Sequence, residues 1–274
     1  MTGRFAFPPR RGLAVCAALF AASMLPAPDA LAGAWTLPEG DGQAILGLVV
    51  NNADRTFDGS GTVIGGGGLD RIEVTGFVEY GLRDDLTLIG QTTLTSRETA
   101  PPFASDYQGL DYTELGLRQR LAQGERWVIS GQGSVRLPGA TDSRDPAQAG
   151  ITDVETDLRL LLGRSGKAAG LPAFAELQTG YRVRFDDPPN EIRVDASFGV
   201  RPHDDWLLLG QSFTTLSDGS ARGVFPDSDY VKLQASVVYD VTEAWSVQVG
   251  AFATVWGRNA LVERAALAAV WRRF

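Results

Sequence analysis

The single histidine, His203, stands beside Asp204 and Asp205, with no second histidine anywhere in the 274 residues. Imidazole next to carboxylate is the smallest outfit for acid–base chemistry near neutral pH. Here the trio separates two apolar runs, so it reads as a turn whose polar groups meet water. The one cysteine, Cys16, lies close to the N-terminus. Transition-metal ligation needs several Cys or His together, and that set is absent from the sequence. Asp58-Gly59-Ser60-Gly61 lacks the regular carboxylate spacing of a calcium loop. The stretch GTVIGGGG, residues 61–68, is not followed by the Lys-Ser/Thr of a phosphate loop, and it reads as a flexible glycine-rich loop over 59–68. No catalytic residue, metal site or cofactor is expected, and the chain is not read as an enzyme.

Another kind of chemistry is better supplied. Arginines and carboxylates recur at alternate positions: Arg136; Glu155 and Asp157; Arg182 and Arg184; Arg193 and Asp195. If alternate residues share one face, these seven form one charged surface. Charges around a constriction select among dissolved solutes. The same residues could equally fill and stiffen a closed interior, because arginine pairs with carboxylates in fixed, bidentate geometry. Both readings need an element that repeats every two residues.

The sequence has that period. Val231, Leu233, Ala235, Val237 and Tyr239 alternate with Lys232, Gln234, Ser236 and Asp240. Ile192 to Val200, Ala175 to Phe185 and Val247 to Val255 behave alike, each for about ten residues, the length of a tilted membrane-crossing strand. Twelve such runs are expected: 43–53, 72–82, 86–96, 109–122, 127–138, 152–164, 173–185, 191–202, 206–217, 229–241, 245–256 and 260–274. The runs at 43–53, 86–96 and 206–217 alternate poorly, which leaves ten or fourteen open. The fold class is therefore all-β, a transmembrane antiparallel β-barrel. Mean hydropathy near zero agrees, since lipid-facing and lumen-facing residues cancel along each strand.

Connections sort by length. Arg83-Asp84-Asp85, His203-Asp204-Asp205 and Thr242-Glu243-Ala244 are tight turns, whereas 52–69, 96–108, 139–151 and 217–228 are longer. Short periplasmic turns and longer extracellular loops are the habit of outer-membrane barrels. By this assignment Arg136, Glu155 and Asp157 gather near the outer mouth on one wall. Arg182, Arg184 and Arg193 gather on another, with Asp195 opposite Arg182. Trp127, Trp206, Trp245, Trp271 and Phe274 all fall at the periplasmic rim, where amphipathic rings favour the headgroup level.

The first 32 residues read as a secretory signal. Arg4, Arg10 and Arg11 precede the apolar run Gly12–Leu25, and Ala30 and Ala32 supply the small residues before a cut at Gly33. The residues after Arg10-Arg11 do not support a twin-arginine signal. Val15 before Cys16 does not fit a lipid attachment site. Loss of Arg4, Arg10, Arg11 and Asp29 from 25 Lys+Arg and 33 Asp+Glu leaves 22 and 32, a net charge of −10. Nucleic acid is thus not an expected partner. The domain reading is 1–32 signal, 33–42 periplasmic segment and 43–274 barrel, placing the protein in the outer membrane of a Gram-negative bacterium.

Three stretches resemble known outer-membrane proteins. A last strand closing on Val270 and Phe274 resembles the C-terminal signal read by the barrel-assembly machinery, although Arg272 stands where an aromatic is usual. Glu79 to Leu88 resembles a hairpin of small transport-type barrels of aromatic-degradation loci. Gly257 to Phe274 is similar to barrels encoded beside exopolysaccharide genes. These porin-like resemblances imply contact with outer-membrane lipid and a passive channel for small hydrophilic or amphipathic solutes. The alternative they leave open is a non-conducting structural or export component of envelope machinery.

Overall fold

In a computed structural model, residues 33–274 are described, apart from 102, 186–187 and 220–226. Among them the chain makes β1 (Gly42–Phe57), β2 (Val63–Arg83), β3 (Leu86–Thr99), β4 (Ser105–Gln123), β5 (Trp127–Pro138) and β6 (Glu155–Ala168). The second half makes β7 (Leu171–Arg184), β8 (Asn190–His203), β9 (Trp206–Asp218), β10 (Asp229–Asp240), β11 (Trp245–Arg258) and β12 (Ala260–Arg273). Each strand pairs antiparallel with its sequence neighbour, and β1 pairs with β12, so the sheet closes. Closure leaves no strand edge unpaired, the condition for crossing hydrocarbon with strands. The twelve expected runs are therefore the twelve strands.

Alternation places the residues. Leu46, Leu48 and Val50 of β1, Leu158, Leu160 and Leu162 of β6, and Val247 and Val249 of β11 point outward and are exposed. Such a belt exceeds the apolar patch a water-soluble surface carries, and it fits lipid. The intervening residues are buried, including Glu155, Asp157, Glu176, Arg182 and Asp195. A soluble sandwich would bury the apolar face instead; the inversion identifies a membrane barrel.

Several boundaries differ from expectation. The glycine-rich stretch is not a loop over 59–68: β1 and β2 extend past it, pairing Arg55 with Gly65 and Phe57 with Val63, and the connection is only Asp58 to Thr62. Cross-strand pairing satisfies the backbone there although the sequence has turn composition. Asp58 caps the short connection, accepting from the Ser60 hydroxyl and from the Thr62 and Ser60 amides, which holds its carboxyl below the usual range. Between β6 and β7, Ala169 and Gly170 both have positive φ, as a two-residue primed turn requires.

Trp127, Trp206, Trp245 and Phe274 are outward at the short-turn end, as expected. Trp271 is not. It faces inward, donating its indole N–H to Gln248 Oε1 at 3.1 Å, and packs toward Phe174, Leu207 and Val238. Odd positions of β12 line the interior, so Trp271 belongs with Glu263 and not with outward Val270.

Candidate functional site: the barrel interior

All seven predicted residues, Arg136, Glu155, Asp157, Arg182, Arg184, Arg193 and Asp195, point into the barrel. Their grouping differs from expectation. Asp195 pairs across the ladder with Gln178, and the residue opposite Arg182 is Glu191. A hairpin's register depends on turn geometry, and the β7–β8 register differs by four residues from the symmetric one expected. Moreover, β6 adjoins β7, so Glu155 faces Arg184 and Asp157 faces Arg182 directly. No positive wall confronts a negative one.

Instead a single network crosses β4 to β8. Arg136 reaches Glu114 at 3.3 Å and makes a short contact with Glu155. Glu155 also receives Arg184 Nε at 2.8 Å and, on Oε1, the Tyr112 hydroxyl at 3.1 Å. Asp157 holds Arg182 at 3.0 Å and Arg159 at 2.7 Å, and Arg159 continues to Asp195 at 2.7 Å. Glu191 ties Arg182, Arg184 and Arg193 together at 3.4–3.6 Å. Five arginines meet five carboxylates, so the network is neutral as a whole. Because the Glu155 and Asp157 side chains are only 2 % exposed, these neighbours must offset the water each has lost.

Glu191, Tyr112 and Arg159 were missing from the seven. Glu191 lies two residues before Arg193, and the same alternation locates it. Tyr112 is reached only through a bulge: the β3–β4 register shifts between Thr92 and Leu94, which brings both Asp111 and Tyr112 into buried positions. The Tyr112 ring lies under Arg136 at 4.0 Å, and its hydroxyl also touches the Asp153 carbonyl at 3.1 Å. With Arg184 bonding the Gly150 carbonyl at 2.9 Å, this draws the 139–154 connection onto the mouth at the long-loop end. Ala140 and Ile151 pack on Tyr112 there.

A second, smaller network lies on the opposite wall. Glu263 of β12 binds Lys232 at 2.9 Å, Arg71 at 3.1 Å and Asn51 at 2.5 Å, and Arg71 also meets Glu73 at 3.4 Å. Two cations meet two carboxylates.

The short-turn end is built otherwise. Residues 33–41 do not stand clear of the barrel; they run into it. Gly40 bonds the Gly81 carbonyl, and the chain passes so close to Gly81 that a Cβ there would overlap the Pro38 carbonyl. Leu37 N–H bonds Thr87 Oγ1 at 2.9 Å, the Trp35 carbonyl accepts from Arg118 at 3.2 Å, and the Ala34 carbonyl accepts from Ser130 at 2.6 Å. The Trp35 ring lies over Gly163, where any side chain would collide, and meets Phe174 edge-on at 6.3 Å. Phe174, Leu207 and Val238 form a buried apolar cluster at this end, with Trp35, Leu209 and Trp271 packed against it. No motif announced it.

No protein-family profile matches the chain, and no curated protein matches it in sequence. Solved structures do match. The COG4313 outer membrane channel from Pseudomonas putida F1 superposes with a TM-score of 0.73 at 13% identity, covering 88% of this chain and 98% of that one. The fold is that of porin-like outer-membrane barrels. The KdgM porin follows with a TM-score of 0.52 at 9% identity over 84% of this chain and 99% of its own. The translocator domain of the autotransporter NalP from Neisseria meningitidis gives 0.50 at 9% identity, covering 87% and 90%. Identities this low carry the architecture alone.

Of the other residues singled out in the sequence, Ala30 and Ala32 lie outside those described, and Gly33 is the first described residue. Phe274 closes the seam between the first and last strands by exchanging backbone hydrogen bonds with Gly42 at 2.7 and 2.9 Å. His203 is exposed at the short-turn end, 3.6 Å from Asp205. Among the described residues no cluster of three metal-ligating side chains occurs.

Proposed function

We propose that this chain is an outer-membrane channel, exported through a cleavable signal, that passes small hydrophilic or amphipathic solutes. The observation carrying this reading is the polar, charge-balanced interior inside an apolar exterior. A chain meant only to anchor in lipid gains little from five inward arginines, buried or half-buried, each of which costs desolvation that its partner only repays. Neutrality as a whole with strong local fields favours dipolar and zwitterionic solutes over apolar ones. Arg136, Glu155, Asp157, Arg182, Arg184, Arg193 and Asp195 are its pore-lining residues in this proposal. The partners are outer-membrane lipid, the barrel-assembly machinery through Val270 and Phe274, and the solutes themselves; no role is assigned to nucleic acid, metal or enzymatic turnover. Single-channel conductance of the folded protein in planar bilayers tests it, and absence of any conducting step overturns it.

One observation favours a second reading. Trp35 of the N-terminal segment packs inside the short-turn end against the cluster of Phe174, Leu207 and Val238. A permanently closed interior would suit a structural or export component of envelope machinery, such as exopolysaccharide secretion. Conductance after removal of residues 33–38 separates the two: a channel opens wider, and a structural barrel stays silent.

A further inference from the structure

Each of the two networks described above carries as many cations as carboxylates. The short-turn end does not. Glu79 and Glu176 are both buried there, 8% and 5% exposed. Arg118 is the cation among them, and it is committed: Nη1 holds Glu79 at 2.8 Å, while Nε and Nη2 hold Gln132 Oε1 at 3.1 and 3.0 Å. Glu176 receives the Ala34 N–H on Oε2 at 3.0 Å and the Gln178 amide on Oε1, both neutral donors. Gln178 in turn gives its own oxygen to Arg159 at 3.1 Å, and Arg159 is already engaged by Asp157 and Asp195. The site is one positive charge short. A carboxylate this buried requires a counter-charge or must give up its own.

The residue seated against Glu176 is Gly33. A group attached to its Cα in the side-chain direction would stand 3.2 Å from Glu176 Oε1 and 3.1 Å from Gln178 Nε2. The Gly33 nitrogen hangs from the same Cα. In the full chain it is an amide, neutral and bonded to Ala32. Hydrolysis of the Ala32–Gly33 peptide bond adds water, leaves a carboxylate on Ala32, and turns that nitrogen into an amine that is protonated at neutral pH.

We propose that the α-ammonium freed at Gly33 is the missing cation: it binds Glu176 inside the barrel and latches residues 33–37 in place. The inference rests on the signal-peptide expectation and is independent of whether the barrel conducts. It joins the expected cut before Gly33 to a buried glutamate beside that residue with no ion pair among the described residues. Removal of the leader then does more than release the chain. It creates the charge that completes this cluster, which an uncut precursor cannot supply. The acceptor there is the Glu176 carboxylate alone, since Gln178 Nε2 and Arg118 Nη2, 3.1 and 3.7 Å from the same position, are donors.

Amine labelling tests this, because a protein starting at Gly33 has only three amines: its terminus, Lys167 and Lys232. The folded protein purified from outer membranes is treated with a water-soluble acetylating ester, then unfolded and treated again, and each site is read by peptide mass. An ammonium held by a carboxylate offers less of the reactive neutral amine, so labelling at Gly33 should be about tenfold or more slower in the folded barrel. Lys167, at the short-turn end, serves as the internal reference. Glu176→Gln preserves shape and removes the charge, so it should speed Gly33 labelling in the folded state. Equal Gly33 rates in folded and unfolded wild type overturn the proposal, as does a mature terminus elsewhere than Gly33. Slow labelling that persists in Glu176→Gln would assign the protection to burial alone and overturn the role of Glu176. If that variant does not fold, the pH dependence of Gly33 labelling in the folded wild type decides: pairing with a carboxylate moves the rate profile to higher pH than in the unfolded protein, and an unmoved or lowered profile overturns the proposal.

Discussion

Asp157 on β6 and Arg182 on β7 face each other directly across the ladder, Oδ2 to Nη2 3.0 Å, with side chains 2% and 9% exposed. Arg182 also reaches Glu191 at 3.5 Å and Glu155 at 3.7 Å, so it serves three carboxylates. Removing it leaves Asp157 to Arg159 and Glu191 to Arg184 and Arg193, with the network one cation short. Breaking a buried pair from one side typically costs about 3–5 kcal/mol, more than the intact pair contributes. Arg182→Ala should therefore lower the denaturant midpoint of the folded barrel substantially, and the Arg182/Arg184 double alanine variant further still. In the conducting protein, two uncompensated negative charges at the mouth should also shift the reversal potential across a salt gradient toward cation preference. An unchanged midpoint would mean that solvent, not Arg182, meets Asp157.

The lipid face offers a register test. Val249 is 61% exposed and outward on β11, while Gln234 on β10 points inward and donates to Gln211 at 2.8 Å. Val249→Arg should cost about 2–4 kcal/mol, since its charge would sit in hydrocarbon. Gln234→Arg enters a polar interior and should cost much less. Unfolding in lipid vesicles measures both, and equal penalties would contradict the assigned faces.

Much of this was legible in the sequence, and the failures share a cause. The strands of 173–185, 191–202, 229–241 and 245–256 alternate cleanly because most of their inward residues are polar, Phe174 and Val238 excepted. Runs 43–53, 86–96 and 206–217 alternate poorly because the interior takes apolar residues there: Ile89 of β3, and Leu207 and Leu209 of β9, are all inward. Leu207 and Leu209 pack in one cluster with Trp35 of the N-terminal segment. Period-two reading presumes polar inward residues, and it loses contrast where the inward residues are apolar. The same blindness hid Trp35 and misplaced Trp271. Which residues share the charged face was readable from parity, whereas Glu191 opposite Arg182 depended on a hairpin register that composition does not encode.

Phe274 joins the ends of the sheet. Its backbone exchanges two hydrogen bonds with Gly42, and its ring is 57% exposed. Deleting it removes the last rung of closure together with the ring; Phe274→Ala removes the ring alone. If the aromatic end is read during assembly, both variants should reduce the heat-modifiable, folded protein recovered from outer membranes. If only closure matters, Phe274→Ala should match wild type and the deletion alone should fail. Gel mobility of unheated samples distinguishes the outcomes.

The central claim is a solute channel with a luminal stopper, and conductance addresses both halves at once. Trp35, partly buried, carries the stopper's apolar contacts, and the about 3–5 kcal/mol lost on truncating a fully buried aromatic bounds its contribution from above. Wild type beginning at Gly33 and a variant lacking residues 33–38 are reconstituted side by side in planar bilayers at the same salt. The account predicts small, discrete steps for wild type and clearly larger steps for the truncated protein, both from barrels that remain heat-modifiable. Silence from both folded proteins would contradict the channel, and identical steps would contradict the stopper.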